Sequence, residues 1–396
     1  MNTFERAFSK VFHANVPDLS AITPGVVVDV HQRGRRKGLL RFGDTYEFYD
    51  LASLTKIIYT TSACVAHFSE YPRELRHPVH DALLWWRSRT TTPWNLLTHT
   101  AGLEWWLPMY KRLRGPLIPQ RRWDRLKQEL AQIKPRRGGH RPGGDRGRGV
   151  RTAARTGTRP RTRGGAGAGA SQAAVGLRQA VYSDLDLWLM GAFLEARMQK
   201  SLLEIWHTVA ESWDVEEIFF HPRNTPRYAR SRYAPTENCP WRRRVLQGEV
   251  HDENTWALGG VAPHAGLFGT VEGVSGWGLE LRRRFRGDSG PARRENEAEN
   301  RMLRRFARRQ IPRAQGDWGL GFMKPTKGRA SCGRYFHASS FGHTGFVGTS
   351  FWYDPVADLL VVVLSNRVHP TRANSSFLQL RPQIHNWVVE CLSERG

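Results

Sequence analysis

The sequence is poor in cysteine, in long apolar runs and in acidic residues. Its four cysteines, Cys64, Cys239, Cys332 and Cys391, form no C-x-x-C pair, which excludes zinc-ribbon and thioredoxin-type sites. Cys64 stands in an apolar run and reads as a small core residue. No stretch approaches the roughly 18 consecutive apolar residues of a membrane-spanning helix. The first ten residues, Met1 to Lys10, carry no apolar segment of the kind a secretion signal needs. A cytoplasmic location is therefore expected, with a periplasmic or secreted one if the true N-terminus is longer. Acids number 36 against 60 Lys and Arg, for a net charge of +24. The excess is uneven: Lys134 to Ala180 holds one Lys and eleven Arg against a single acid, Asp145.

What is present suits a globular enzyme. The chain has 396 residues, 40% of them hydrophobic, with 15 Trp and 18 Phe. That is enough for one large core or two intimately packed domains and too apolar for a disordered chain. Val26 to Val30 and Leu39 to Phe42, with Arg33 to Gly38 between them, read as a β-hairpin. Ile57 to Ala66 has no charged residue and reads as a helix buried on all sides. Pro93 opens a short helix that the Ala101-Gly102 turn closes. Arg121 to Ile133 is amphipathic, Leu185 to Leu203 reads as one helix, and Arg282 to Arg309 as a charged surface helix. Gly348 to Tyr353 and Leu359 to Leu364 read as strands around an Asp354-Pro355 turn. A last helix carries Leu380, Ile384, Trp387, Val388 and Leu392 on one side. The expected fold is α+β: an antiparallel sheet built from both termini, about 24–45 and 340–366, with a helical region over 53–330 covering one face. An N-terminal helix, 1–20, precedes a single catalytic domain, 21–396, that ends in a C-terminal helix over 376–393.

Residues 135–175 break the pattern. Arg, Gly, Thr, Pro and Ala dominate, and from Pro135 to Ala170 there is no Phe, Trp, Tyr, Leu or Ile. Such a segment cannot bury enough apolar surface to offset its ordering entropy, and disorder is expected. The composition is what GC-rich codons yield out of frame, so a pair of compensating frameshifts is one reading. An Arg/Gly arm binding nucleic acid through phosphates is an alternative function.

The residues that carry chemistry begin with Ser53-Leu54-Thr55-Lys56. Spacing of three places hydroxyl and amine on one helical face. A serine hydroxyl needs a base to become a nucleophile, and burial pushes a lysine toward its neutral form. Tyr182-Ser183-Asp184 precedes a helix, His343-Thr344-Gly345 lies on a strand, and Leu96 to Leu103 reads L-L-T-H-T-A-G-L. In this order, these segments resemble the penicillin-recognising serine hydrolases: class C β-lactamases, D-Ala-D-Ala carboxypeptidases and related esterases. The resemblance runs from about Pro24 to Trp387 and implies a β-lactamase/transpeptidase-like fold.

The resemblance further implies that Ser53 attacks a carbonyl of an amide, β-lactam or ester while Lys56 and Tyr182 share the proton traffic. The N–H groups of Ser53 and Phe346 would hold the oxyanion. His343 would orient a substrate carboxylate or the Tyr182 hydroxyl, with Thr344, Gly345 and Asp184 lining the substrate. No cofactor or metal is implied, and the partner is a small-molecule or peptide substrate. A catalytically impaired relative is the alternative within the family. Asp184 departs from the family's usual Asn, and should keep the Lys56 amine protonated and move the base role to Tyr182. A second block, Gly248 to Phe268, resembles a segment of a bacterial subgroup, with Pro263 where that subgroup has Gly. Its His251, Asp252 and His264 match no zinc spacing and read as a wall of the substrate cleft. His99 reads as a brace for the turn before Leu103.

Overall fold

A computed structural model describes residues 1–113, 116, 118–136, 179–288 and 297–393. The Arg/Gly-rich tract from 137 onward and part of the expected helix over 282–309 lie outside the described residues.

Both termini contribute to one antiparallel sheet, as expected. Its spatial order is Arg35–Gly43, Gly25–Gln32, Leu359–Ser365, Ser350–Asp354, Phe341–Thr344. Val28 pairs with Val363 at the centre, and His343 pairs with Phe351 at the edge. The hairpin turn is tighter than its composition suggests. Only Arg33 (φ +53°) and Gly34 (φ +75°) turn, because a two-residue loop needs left-handed backbone at both positions. Arg35, Arg36 and Lys37 already belong to the strand.

Strand alternation divides the core in two. Val26, Val28, Val30, Val361 and Val363 face one apolar cluster, while Val27, Leu360, Val362 and Leu364 face the other. The first is covered by the terminal helices. In Thr3–Asn15 a capping box of Asn2 and Glu5 starts the helix, and Phe4, Phe8 and Phe12 recur on one face. Burying each ring contributes about 1.5–3 kcal/mol. Phe377–Ser393 adds Leu380, Ile384, Trp387 and Val388 to the same cluster. The second, larger cluster is built by the helices of the central region.

The expected helix over 185–203 is two helices. Asp184–Met198 ends on Gln199, whose φ of +53° is left-handed, and Ser201 opens Leu202–Ser212 with a capping box to Glu204. The S-x-x-E signal outweighs the continuous apolar periodicity. The expected helix over 121–133 runs Pro119–Leu130 and leaves Ile133 beyond its end. The charged segment over 282–309 supplies the end of Val271–Arg286 and the helix Glu297–Ala307. Its Arg284 is buried and paired with Glu280 and Glu299 rather than solvated. Among the described residues, no helix is long and apolar enough to cross a membrane.

Candidate active site

The site forms where the larger core meets the sheet edge. Tyr49–Asp50, Phe268–Gly269 and Ile218–Phe219 make a small three-stranded sheet that delivers the chain to Ser53. Asp50 Oδ1 accepts the Ala52 N–H at 2.8 Å, and Ala52 is held at φ +46°. A left-handed non-glycine residue costs on the order of 1–3 kcal/mol, and here it bends the chain just before Ser53. Leu54 and Thr55 begin a helix that continues as a π-helical turn, Lys56–Thr61, and then as Ser62–Glu70.

Two side chains meet at the Ser53 hydroxyl. Lys56 Nζ donates to Ser53 Oγ at 2.9 Å, and the Tyr182 hydroxyl donates to the same oxygen at 2.9 Å. The Lys56 amine also donates to the His264 carbonyl at 2.9 Å and lies 2.8 Å from Asp184 Oδ1. Lys56 is buried. Burial, the largest influence, works to lower its pKa. The Asp184 carboxylate and the Tyr182 oxygen outweigh it, so the amine sits above the ordinary lysine range. Burial alone would have favoured a neutral Lys56; the carboxylate reverses that expectation.

Tyr182 is held from both sides. Its ring stacks on Trp318 at 5.7 Å and 2°, and meets the edge of His99 at 5.1 Å. His99 O accepts the Val181 N–H at 2.8 Å, and His99 Nδ1 accepts the Ser183 N–H at 3.2 Å. The brace expected of His99 therefore acts on the tyrosine segment. His99 is also 2.9 Å from Asp186. Burial lowers the histidine's pKa well below normal and raises the aspartate's well above it, so the pair is neutral. Ser183 caps the following helix, accepting from the Asp186 N–H at 3.3 Å. For Tyr182, burial is the largest influence and raises the pKa, with the Lys56 charge acting the other way.

His343-Thr344-Gly345 closes the opposite side. His343 is buried, with Nδ1 bonded to Thr344 O at 2.8 Å and its ring 5.7 Å from that of Tyr182. Burial, then the Lys56 charge, lowers its pKa to about 3. The ring is neutral, and among the described residues its Nε2 has no partner. Thr344 Oγ1 faces the Met323 sulfur at 3.9 Å. Gly345 is required by proximity: a Cβ there would stand 2.0 Å from Thr349 Oγ1 and 3.0 Å from Leu51 O. Beyond it the Phe346 ring is exposed. Among the described residues, the backbone N–H groups of Ser53 and Phe346 have no protein acceptor.

The second block, 248–268, packs against the nucleophile turn. The His251 N–H donates to Asp50 Oδ2 at 2.7 Å. Asp252 caps the helix Glu253–Ala257 and lies 3.1 Å from His264 Nε2. The cleft-wall expectation fits these positions.

With this geometry in view, comparison with known proteins is direct. The sequence profile described as Beta-lactamase matches residues 151–381. The chain belongs to the Beta-lactamase family. The matched stretch contains Tyr182, Asp184 and His343 to Phe346; Ser53 and Lys56 precede it, and the fold brings them together. A Salmonella typhi protein provisionally named D-alanyl-D-alanine carboxypeptidase is 27% identical over 210 residues, covering 49% of this chain and 46% of that protein. The chain thus spans about half the length of the curated relatives it matches. Among solved structures, EstCE1, a hydrolase with promiscuous acyltransferase activity, superposes with a TM-score of 0.63 at 17% identity, covering 98% of both chains. A β-lactamase from Mycobacterium bovis gives 0.52 at 18% identity, covering 93% and 95%. These likenesses establish the β-lactamase-like fold.

One cluster in this Beta-lactamase family member invites a metal reading. Ligand atoms of Asp184, Asp252 and His264 lie within 4.8 Å of one another. The surroundings oppose it. Trp188 Nε1–H donates to His264 Nδ1 at 3.0 Å, so the neutral imidazole carries its proton on Nε2, facing Asp252. A metal at Nε2 would need that proton on Nδ1, against the indole N–H. The Lys56 ammonium already supplies positive charge to Asp184.

Several contributors were not visible in sequence: the Asp50 clamp, the left-handed Ala52, Trp318 behind Tyr182 and the His264 carbonyl on Lys56. A backbone carbonyl has no residue signature. Trp318 is recruited through a turn that no motif marks.

Proposed function

We propose that the chain is a serine hydrolase working through an acyl-enzyme on Ser53. The observation that carries this reading is that Ser53 Oγ lies 2.9 Å from both Lys56 Nζ and the Tyr182 hydroxyl. Among the described residues, the N–H groups of Ser53 and Phe346 have no protein acceptor and could receive an oxyanion.

Tyr182, deprotonated beside the Lys56 ammonium, takes the Ser53 proton as Oγ bonds to the substrate carbonyl carbon. The N–H groups of Ser53 and Phe346 hold the resulting oxyanion. On collapse the carbon–leaving-group bond breaks and Tyr182 returns the proton to the departing oxygen or nitrogen. Water then repeats the sequence and frees Ser53. Lys56 remains an ammonium throughout, because Asp184, the His264 carbonyl and Ser53 Oγ all favour its charged form. Its charge stabilises the phenolate.

The substrate class best supported is a neutral ester. His343 is uncharged and offers no cation to a substrate carboxylate, and the Lys56 ammonium is already matched by the Asp184 carboxylate at 2.8 Å. Two exposed aromatic rings, Trp105 and Phe346, belong to segments that adjoin this site. Trp105 is tied to it through the Asp184 N–H to Trp105 O bond at 3.0 Å, and Phe346 directly follows His343-Thr344-Gly345. The carboxypeptidase names of the relatives support a second reading, amide hydrolysis at a D-Ala-D-Ala terminus.

A hydrolysis panel tests both. Purified protein is assayed with p-nitrophenyl acetate, nitrocefin and a D-Ala-D-Ala peptide, with Ser53→Ala as control. Ester turnover that vanishes in the control supports the first reading. Turnover equal in both proteins defeats it.

A further inference from the structure

Arg381 is the fifth residue of the C-terminal helix Phe377–Ser393 and is buried at 7% exposure. Its Nη1 lies 3.4 Å from Gly345 O and 3.2 Å from Thr349 O. Among the described residues, its buried Nε has no hydrogen-bond partner and no carboxylate pairs with the guanidinium. Its helix neighbours Phe377, Leu380 and Ile384 are apolar. A buried cation without a counter-ion is destabilising, and an aliphatic side chain would fit this position at lower cost. The sheet–helix contact alone therefore does not account for an arginine here.

The Gly345 carbonyl is half of one peptide unit, and the other half is the Phe346 N–H. We infer that Arg381 is a positioning residue for the oxyanion step, holding and polarising the Gly345–Phe346 peptide so that its N–H donates more strongly to the negative charge formed at Ser53. A cation bonded to a peptide oxygen draws electron density toward that oxygen and leaves the N–H more positive. The dipole is aimed before reaction begins and needs no reorganisation when charge develops. Arg367 secures the far side, donating from Nε to Phe346 O at 2.8 Å. The negative charge missing from the surroundings of Arg381 is supplied transiently by the reaction. Burial and then the Arg367 charge lower the Arg381 pKa to about 10, which leaves it cationic at neutral pH.

This inference rests on the serine hydrolase reading, and its test separates the two. Wild type, R381K, R381Q and Ser53→Ala are compared with p-nitrophenyl acetate, and kcat is expressed per site titrated with a fluorophosphonate, so that misfolded protein is not counted. Gln keeps an N–H donor but loses the charge; Lys keeps the charge. R381Q is expected to lose about tenfold or more in kcat with KM changed less than about threefold, since single oxyanion donors are worth up to roughly a thousandfold. R381K should lie between R381Q and wild type, and affinity for a boronic acid that mimics the oxyanion should fall in step with kcat. R381Q within twofold of wild type in kcat per titrated site, or R381K no better than R381Q, overturns the role of Arg381 and leaves the hydrolase reading standing. Wild-type protein that neither titrates nor turns over through Ser53 overturns both.

Discussion

Asp184 Oδ1 lies 2.8 Å from Lys56 Nζ, and this contact decides which group at Ser53 can act as a base. An amine held as an ammonium between a carboxylate, a carbonyl and a hydroxyl has no lone pair to offer. The phenol of Tyr182 is then the group able to exchange a proton with Ser53 Oγ, and Lys56 serves it as a fixed positive charge.

The first prediction concerns pH. Tyr182 acts as a base when deprotonated, and desolvation of its hydroxyl raises its pKa above the ordinary phenol range, so the wild-type rate should climb with pH into the alkaline range. The Asp184 charge raises the pKa of both Lys56 and Tyr182. Asp184→Asn removes it and should move the rising limb of kcat/KM to lower pH by about one unit or more. A pH–rate profile over both proteins checks this; an unshifted limb contradicts it.

A second prediction concerns stability. Lys56→Met leaves the Asp184 carboxylate facing a buried site without its cation, at a cost of about 3–5 kcal/mol. Adding Asp184→Asn should recover a substantial part of that loss while leaving the enzyme inactive. Urea denaturation of the two single variants and the double variant measures the coupling. Additive losses would mean that the pair is not energetically linked.

Substrate charge supplies a third. With His343 neutral and the Lys56 charge matched by Asp184, a substrate carboxylate gains no compensation for its lost hydration, and a neutral p-nitrophenyl butyrate should be hydrolysed about tenfold faster than the corresponding hemisuccinate. The ratio should narrow in Asp184→Asn. Equal rates for the two esters in wild type would remove the electrostatic basis for the ester assignment.

A fourth follows from Trp188, whose N–H fixes the His264 tautomer. Dialysis against EDTA should leave ester turnover unchanged, and added zinc should not restore or raise it. Trp188→Phe should destabilise the protein by about 1–3 kcal/mol through the unpaired, buried His264 nitrogen, read as a shift in thermal melting. Loss of turnover on chelation would reopen the metal reading of Asp184, Asp252 and His264.

The fold was largely legible because the sheet strands announce themselves by continuous apolar runs, Val26 to Val30 and Leu359 to Leu364, and the terminal helices by Phe4, Phe8 and Phe12 and by Leu380, Ile384 and Val388. The split at Gln199 was hidden because the apolar periodicity crosses it without interruption. In the site, Ser53, Lys56, Tyr182 and His343 were legible as motif residues, and the consequence of Asp184 for Lys56 followed from charge alone. Arg381 was not, since a lone arginine on an amphipathic helix looks like any solvated one. Its meaning depends on a backbone oxygen 36 positions away in sequence. His343 shows the opposite limit: the motif located it, but only its burial beside the Lys56 charge makes it neutral.

The central claim, that the Ser53 hydroxyl forms the acyl-enzyme, is tested most directly by trapping. Protein mixed with p-nitrophenyl acetate is quenched in acid within the first turnovers, digested and examined by mass spectrometry. The account predicts one acetyl group on the peptide containing Ser53, absent in Ser53→Ala. Turnover with no acetyl on that peptide, or turnover undiminished in Ser53→Ala, would contradict it.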